Sequence, residues 1–111
     1  MNIEVNIKPS KEIINLDDDL TLDCSVKGDQ SAVLVWSHLD SKQMTKPLAD
    51  NVVWKASSLH IHKARPENRG IYRCDVDTFA GRYTAEYVLI LQSKFSFSLE
   101  IKLISLPMLT S

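Results

Sequence analysis

Apolar and polar residues alternate with a period of two along most of this 111-residue chain, as they do in strands that bury one face and wet the other. Ile3, Val5 and Ile7 alternate with Glu4, Asn6 and Lys8 up to Pro9, which lacks an N–H for a sheet ladder and ends or kinks the strand. Ile13, Ile14 and Leu16 restart it, as in an edge strand that changes sheets, and Asp17-Asp18-Asp19 forms a solvated turn. Leu20, Leu22, Cys24 and Val26 then face one way with Thr21, Asp23, Ser25 and Lys27 opposite, and Gly28-Asp29 closes the strand. Val33-Leu34-Val35-Trp36 reads as a buried run that continues through Ser37-His38-Leu39-Asp40-Ser41 into a polar hairpin. Residues 42–50 are irregular. Val52, Val53 and Trp54 predict a short strand, and Leu59-x-Ile61 a longer one with both apolar side chains inward. Residues 64–69 cross between sheets. From Gly70 the chain re-enters a sheet, with Tyr72, Cys74 and Val76 inward and Arg73, Asp75 and Asp77 outward. Phe79-Ala80-Gly81-Arg82 is a hairpin tip, and Tyr83 to Leu91 is the last strand.

That last strand has apolar residues on both faces. Ala85, Tyr87, Leu89 and Leu91 suit the core, which leaves Val88 and Ile90 on a face that needs cover. The following tail offers one, since Phe95, Phe97, Leu99, Ile101 and Leu103 alternate with Ser96, Ser98, Glu100 and Lys102. Residues 93–111 are expected to be an extra strand, the start of a neighbouring domain or a non-native extension. With Glu100 and Lys102 inside it the tail is no membrane span.

The segments Leu22-Asp23-Cys24, Trp36, Leu59-His60-Ile61, Asn68-Arg69-Gly70-Ile71-Tyr72-Arg73-Cys74 and Cys74-x-Val76-x-Thr78-x-x-Gly81 follow one another in an order that resembles the immunoglobulin superfamily, and within it the I-set domains. The resemblance covers residues 3–92, so residues 1–92 are expected to form the domain. It implies an all-β, immunoglobulin-like two-sheet antiparallel sandwich, with one inter-sheet disulfide between Cys24 and Cys74 packed under Trp36. Leu59 and Ile61 would complete the core, Gly70 would supply the tight turn, and Tyr72 would cap backbone groups as a tyrosine corner. I-set domains often carry glycine near Asp18, so a left-handed residue is expected there. Many also carry aspartate where Asn68 stands, and asparagine implies a neutral cap in place of a buried ion pair. Val33-Leu34-Val35-Trp36-Ser37-His38 and Pro66 to Val76 resemble, more narrowly, the immunoglobulin repeats of perlecan-like basement-membrane proteoglycans. An extracellular structural role in a tandem array would follow, with matrix or cell-surface proteins and neighbouring modules as partners.

Composition adds limits. Thirteen basic and fourteen acidic residues leave a formal charge of -1, so no global field draws the chain to nucleic acid or membrane. No basic, continuously apolar leader opens the sequence and no N-x-S/T site occurs. Those absences admit an intracellular, sarcomeric alternative of the titin or myosin-binding type. The two cysteines would stay reduced in cytosol; if bonded, their loop of about fifty residues contributes on the order of 4 kcal/mol.

Candidate chemistry is sparse. His60 and His62 share a strand face about 7 Å apart, a spacing that holds zinc only when other ligands converge, and none but a distant His38 presents itself. They read as solvent-facing, with no metal and no cofactor. His60, His62, Lys63, Arg65, Arg69 and Arg73 make the segment locally basic, interrupted by Glu67 alone. It is a solvated face or a contact for an acidic protein or sulfated glycan. Nucleic acid is disfavoured because the aromatics needed for stacking belong to the core. No serine sits in a G-x-S-x-G elbow and no paired acids suggest a cleft, so catalysis is not expected. Phe79 at the hairpin tip is the candidate contact residue, unless it folds back over the last strand.

Overall fold

The computed structural model describes residues 2–92 and resolves the alternating runs into ten strands. They are β1 (Glu4–Pro9), β2 (Ile14–Asn15), β3 (Leu20–Lys27), β4 (Val33–Leu39), β5 (Thr45–Lys46), β6 (Val52–Lys55), β7 (Ser58–Ile61), β8 (Gly70–Thr78), β9 (Gly81–Leu89) and β10 (Leu91–Gln92). One antiparallel sheet runs β1-β3-β7-β6 and the other β5-β4-β8-β9, while β2 and β10 pair in parallel. Pro9 sits opposite Leu22. The N–H of Ser10 reaches the Thr21 carbonyl at 2.8 Å and the N–H of Cys24 reaches Ser57 at 3.0 Å. Odd-numbered residues of β3 therefore direct their backbone groups to β1 and even-numbered ones to β7. Leu22 asks nothing of β1, which is why a proline is tolerated there.

The inward faces meet around Leu20, Leu22, Cys24, Trp36, Leu59, Ile61, Tyr72, Cys74 and Val76, all buried. A disulfide joins Cys24 on β3 to Cys74 on β8. Trp36 lies opposite Cys74 in the ladder and donates its indole N–H to the Ser57 carbonyl at 3.0 Å. The chain is thus an all-β, immunoglobulin-like sandwich of two antiparallel sheets with an inter-sheet disulfide.

Three local expectations need correction. Val33-Leu34-Val35-Trp36 is not a buried run: Val33 and Val35 are 65% and 50% exposed. β4 belongs to an antiparallel sheet with one wet face, so only Leu34 and Trp36 turn inward. The left-handed residue of the acidic turn is Asp17, with φ 70°, whereas Asp18 accepts the Asn15 N–H through its carboxylate at 2.9 Å. Asp19 is more than a solvated acid, because it accepts the N–H of Lys63 from the crossing segment at 2.9 Å. At the other end, Val88 and Ile90 are exposed as their pattern predicts; the tail expected to cover them lies outside the described residues.

Crossing between sheets is managed by Asn68, buried at the end of a 3-10 turn spanning Pro66–Asn68. Its side-chain oxygen accepts the N–H of Arg65 and the amide of Asn51, each at 2.7 Å, and its own amide returns a bond to Asn51 at 3.0 Å. This reciprocal amide pair is a neutral cap. Arg65 joins it from the rim, donating to the Asn51 side-chain oxygen at 2.9 Å while meeting Asp50 and Glu67.

Candidate interaction surfaces

The basic residues of the 60–73 segment do not form one patch. His60 alternates with buried Leu59 and Ile61, so it stands on the outer face of the β1-β3-β7-β6 sheet, with Nδ1 3.1 Å from the Thr21 hydroxyl. Arg73 alternates with buried Tyr72 and Cys74 on the outer face of the opposite sheet, where Glu86 lies 2.7 Å away. Between them, His62 pairs with Asp19 at 3.0 Å and Arg65 with Asp50 and Glu67. Lys63 and Arg69 are exposed at the crossing. Side-chain alternation splits what is contiguous in sequence.

His38 joins neither His60 nor His62. It is 1% exposed, stacked on Tyr72 with ring centroids 4.2 Å apart and planes 8° from parallel. Its Nε2–H donates to the Arg69 carbonyl at 2.8 Å. Burial holds its pKa below the ordinary histidine value, against a smaller upward pull from that carbonyl. Gly70 accommodates this ring: with φ +130°, a Cβ there would lie 2.6 Å from the Leu39 carbonyl and 2.8 Å from His38 Nε2. Beside them the Tyr72 hydroxyl donates to the Asn68 carbonyl at 2.7 Å, the tyrosine corner that the sequence implied. Burial raises that phenol's pKa well above its usual value. Among the described residues no cluster of three or more His, Cys, Asp or Glu is arranged to hold a metal. No cysteine among them is free.

The outer face of the β5-β4-β8-β9 sheet is tiled by cross-strand pairs. Arg82 meets Asp77 at 2.8 Å, Thr84 meets Asp75 at 2.7 Å, and Arg73 meets Glu86. Val33 and Val35 flank this polar stripe along β4.

Phe79 does not fold back; it is 68% exposed. Its hairpin is held from an unexpected quarter, since the Phe79 N–H donates to Asp29 at 2.9 Å. The other oxygen of that carboxylate accepts both the N–H and the hydroxyl of Ser31, at 2.9 and 2.8 Å. These donors, the Phe79 N–H foremost, keep the Asp29 pKa below the ordinary carboxylate value. Asp29 thereby clamps the loop after β3 to the β8–β9 tip. The sequence carried half of this, because Asp-x-Ser after Gly28 is a turn signal; the bond to a residue fifty positions on has no local signature.

Known proteins bear on these surfaces in three ways. Residues 4–77 match a family model described as immunoglobulin domain. The chain is 32% identical over 87 residues to a basement membrane proteoglycan of Caenorhabditis elegans, a match that covers 78% of this chain and 2% of that protein. Among solved structures it resembles the full ectodomain of mouse nectin-like molecule 4, with TM-score 0.70, 22% identity, and coverage of 83% of this chain and 31% of that one. It also resembles murine CEACAM1b, with TM-score 0.64, 17% identity, and coverage of 80% and 44%. The chain therefore spans a small part of each relative. At these identities the two structures speak for the fold.

Proposed function

We propose that this chain, which belongs to the immunoglobulin domain family, serves as a non-catalytic adhesive module of a larger extracellular protein of the basement-membrane proteoglycan kind. It binds matrix or cell-surface proteins through loop tips set on a rigid sandwich. The observation that carries this reading is Phe79, an exposed aromatic on a hairpin whose backbone is fixed by Asp29. Because the backbone that carries the ring is fixed before contact, only the side-chain torsions of Phe79 remain to be ordered on binding. That lowers the entropic cost of using it as an interface anchor. The 32% identity to a basement membrane proteoglycan supports the extracellular setting, as does the Cys24–Cys74 disulfide, a bond that persists in oxidising compartments. No helix among the described residues is long and apolar enough to cross a membrane.

Phe79→Ala tests the reading directly. Wild-type protein coupled to beads is expected to bind a reconstituted basement-membrane matrix, and the variant to lose at least tenfold in affinity, the loss of a hot-spot aromatic, with its unfolding midpoint unchanged. Equal binding by the two proteins would remove the loop tip from the reading. Free thiols found on protein taken from its native source would instead favour a reduced, intracellular module.

A further inference from the structure

Both sheets stop short along the same side of the sandwich. β7 pairs with β3 only over Leu20–Asp23, because β7 begins there, just after the two-residue turn at Ala56 and Ser57 that brings the chain over from β6. β5 pairs with β4 only at His38 and Leu39. The Cys24 N–H finds Ser57, and beyond it the alternation of β3 turns the N–H and C=O of Val26 toward a side where no strand lies. On β4 the N–H of Asp40 reaches Met44 in the β5 direction, so the same alternation turns the backbone groups of Leu34 and Trp36 outward. Between these two open edges lies a pocket of about 300 Å³ lined by Asp23, Cys24, Ser25, Val26, Asp29, Gln30, Ala32, Leu34 and Ser57. Its floor is apolar, made of half-buried Val26, Ala32 and Leu34 packed on the core. Its rim is acidic. Asp23 and Asp29 take hydrogen bonds from serine hydroxyls and from the Phe79 N–H, and neither has a basic partner among the described residues.

We infer that this pocket is a strand-addition site for an extended peptide of a partner protein in which apolar and basic residues alternate. Pairing with the Val26 edge supplies main-chain bonds. The period of two then sends every second side chain between the sheets onto Val26 and Leu34, and its neighbours outward past Asp23. The carboxylates select lysine or arginine at the outward positions. The site shares the Asp29 carboxylate with the β8–β9 tip but makes no use of the Phe79 side chain.

A fluorescein-labelled octapeptide alternating valine and lysine tests the site by anisotropy titration and by amide chemical shifts. Binding is expected, with shifts centred on Val26, Asp29 and Leu34. Asp23→Asn keeps the single oxygen that accepts both serine hydroxyls, and so the fold, and is expected to weaken binding about threefold. The same peptide N-methylated at alternate residues is expected not to bind, and Phe79→Ala to leave its affinity unchanged. Equal affinity for a valine–glutamate peptide, unimpaired binding of the N-methylated peptide, or shifts centred on another face would overturn the proposal. So would self-association in sedimentation that protects the Val26 and Leu34 amides, since a second copy of the chain would then be the occupant.

Discussion

Gly70→Ala isolates the packing that ties the two halves of the β5-β4-β8-β9 sheet together. Gly70 opens β8 with φ +130°, a region where any Cβ is strained, at a cost of order 1–3 kcal/mol. The added carbon would also lie 2.6 Å from the Leu39 carbonyl and 2.8 Å from His38 Nε2. Neither neighbour yields easily. Leu39 is bonded into β4 opposite Ile71, and the imidazole is fixed by Tyr72 beneath it and by the Arg69 carbonyl. Overpacking of this kind adds about 1–3 kcal/mol, so the total loss is about 4 kcal/mol, a large part of a stability of roughly 5–15 kcal/mol. For a domain of this size the melting temperature is expected to fall by roughly 15–30 °C. Gly81→Ala is the control, because Gly81 has φ +119° with nothing within 4 Å of the added carbon, and it is expected to lose only about 1–2 kcal/mol. Urea unfolding followed by tryptophan fluorescence, without reductant, measures both. Equal losses in the two variants would refute the steric account and leave backbone strain as the whole effect.

Three further outcomes follow from the same geometry. Tyr72→Phe removes the buried donor to the Asn68 carbonyl and is expected to cost about 2 kcal/mol in urea unfolding. His38 is held neutral by burial, with its folded pKa below the ordinary value of 6.5, so the unfolded chain takes up its proton first as pH falls. Its contribution is complete above pH 6.5 and is lost between there and the folded pKa; His38→Gln is expected to flatten the fall in stability across that interval. Because the basic side chains are spread over two outer faces and the crossing between them, and three of the six are paired with acids, the protein is expected to pass a heparin column with little retention at physiological salt. Strong retention abolished by Lys63→Ala with Arg69→Ala would restore a sulfated-glycan surface.

The strands and the core were legible because burial on one face imposes a period of two, and Leu22, Cys24, Tyr72, Cys74 and Val76 obey it. Val33 and Val35 show the limit of that signal. Apolar residues on a wet face look the same in sequence as a buried run, and only the sheet's orientation separates them. His38 shows another limit, since a polar residue inside is stabilised by partners, Tyr72 and the Arg69 carbonyl, that come from thirty residues downstream. How the basic segment is laid out in space depends on geometry that the sequence does not carry: six basic residues close in sequence straddle a crossing between sheets. The Asp29 clamp and the open strand edges lay beyond reading because they depend on where loops end in space.

The Asp29 clamp grips the main chain of the tip, not the Phe79 side chain. Any residue but proline at that position would hang from the same hook, so the perch is indifferent to what it displays. Diversification can therefore swap the displayed group and change the partner without redesigning the scaffold, whereas a change at Asp29 alters the pose of whatever group stands there.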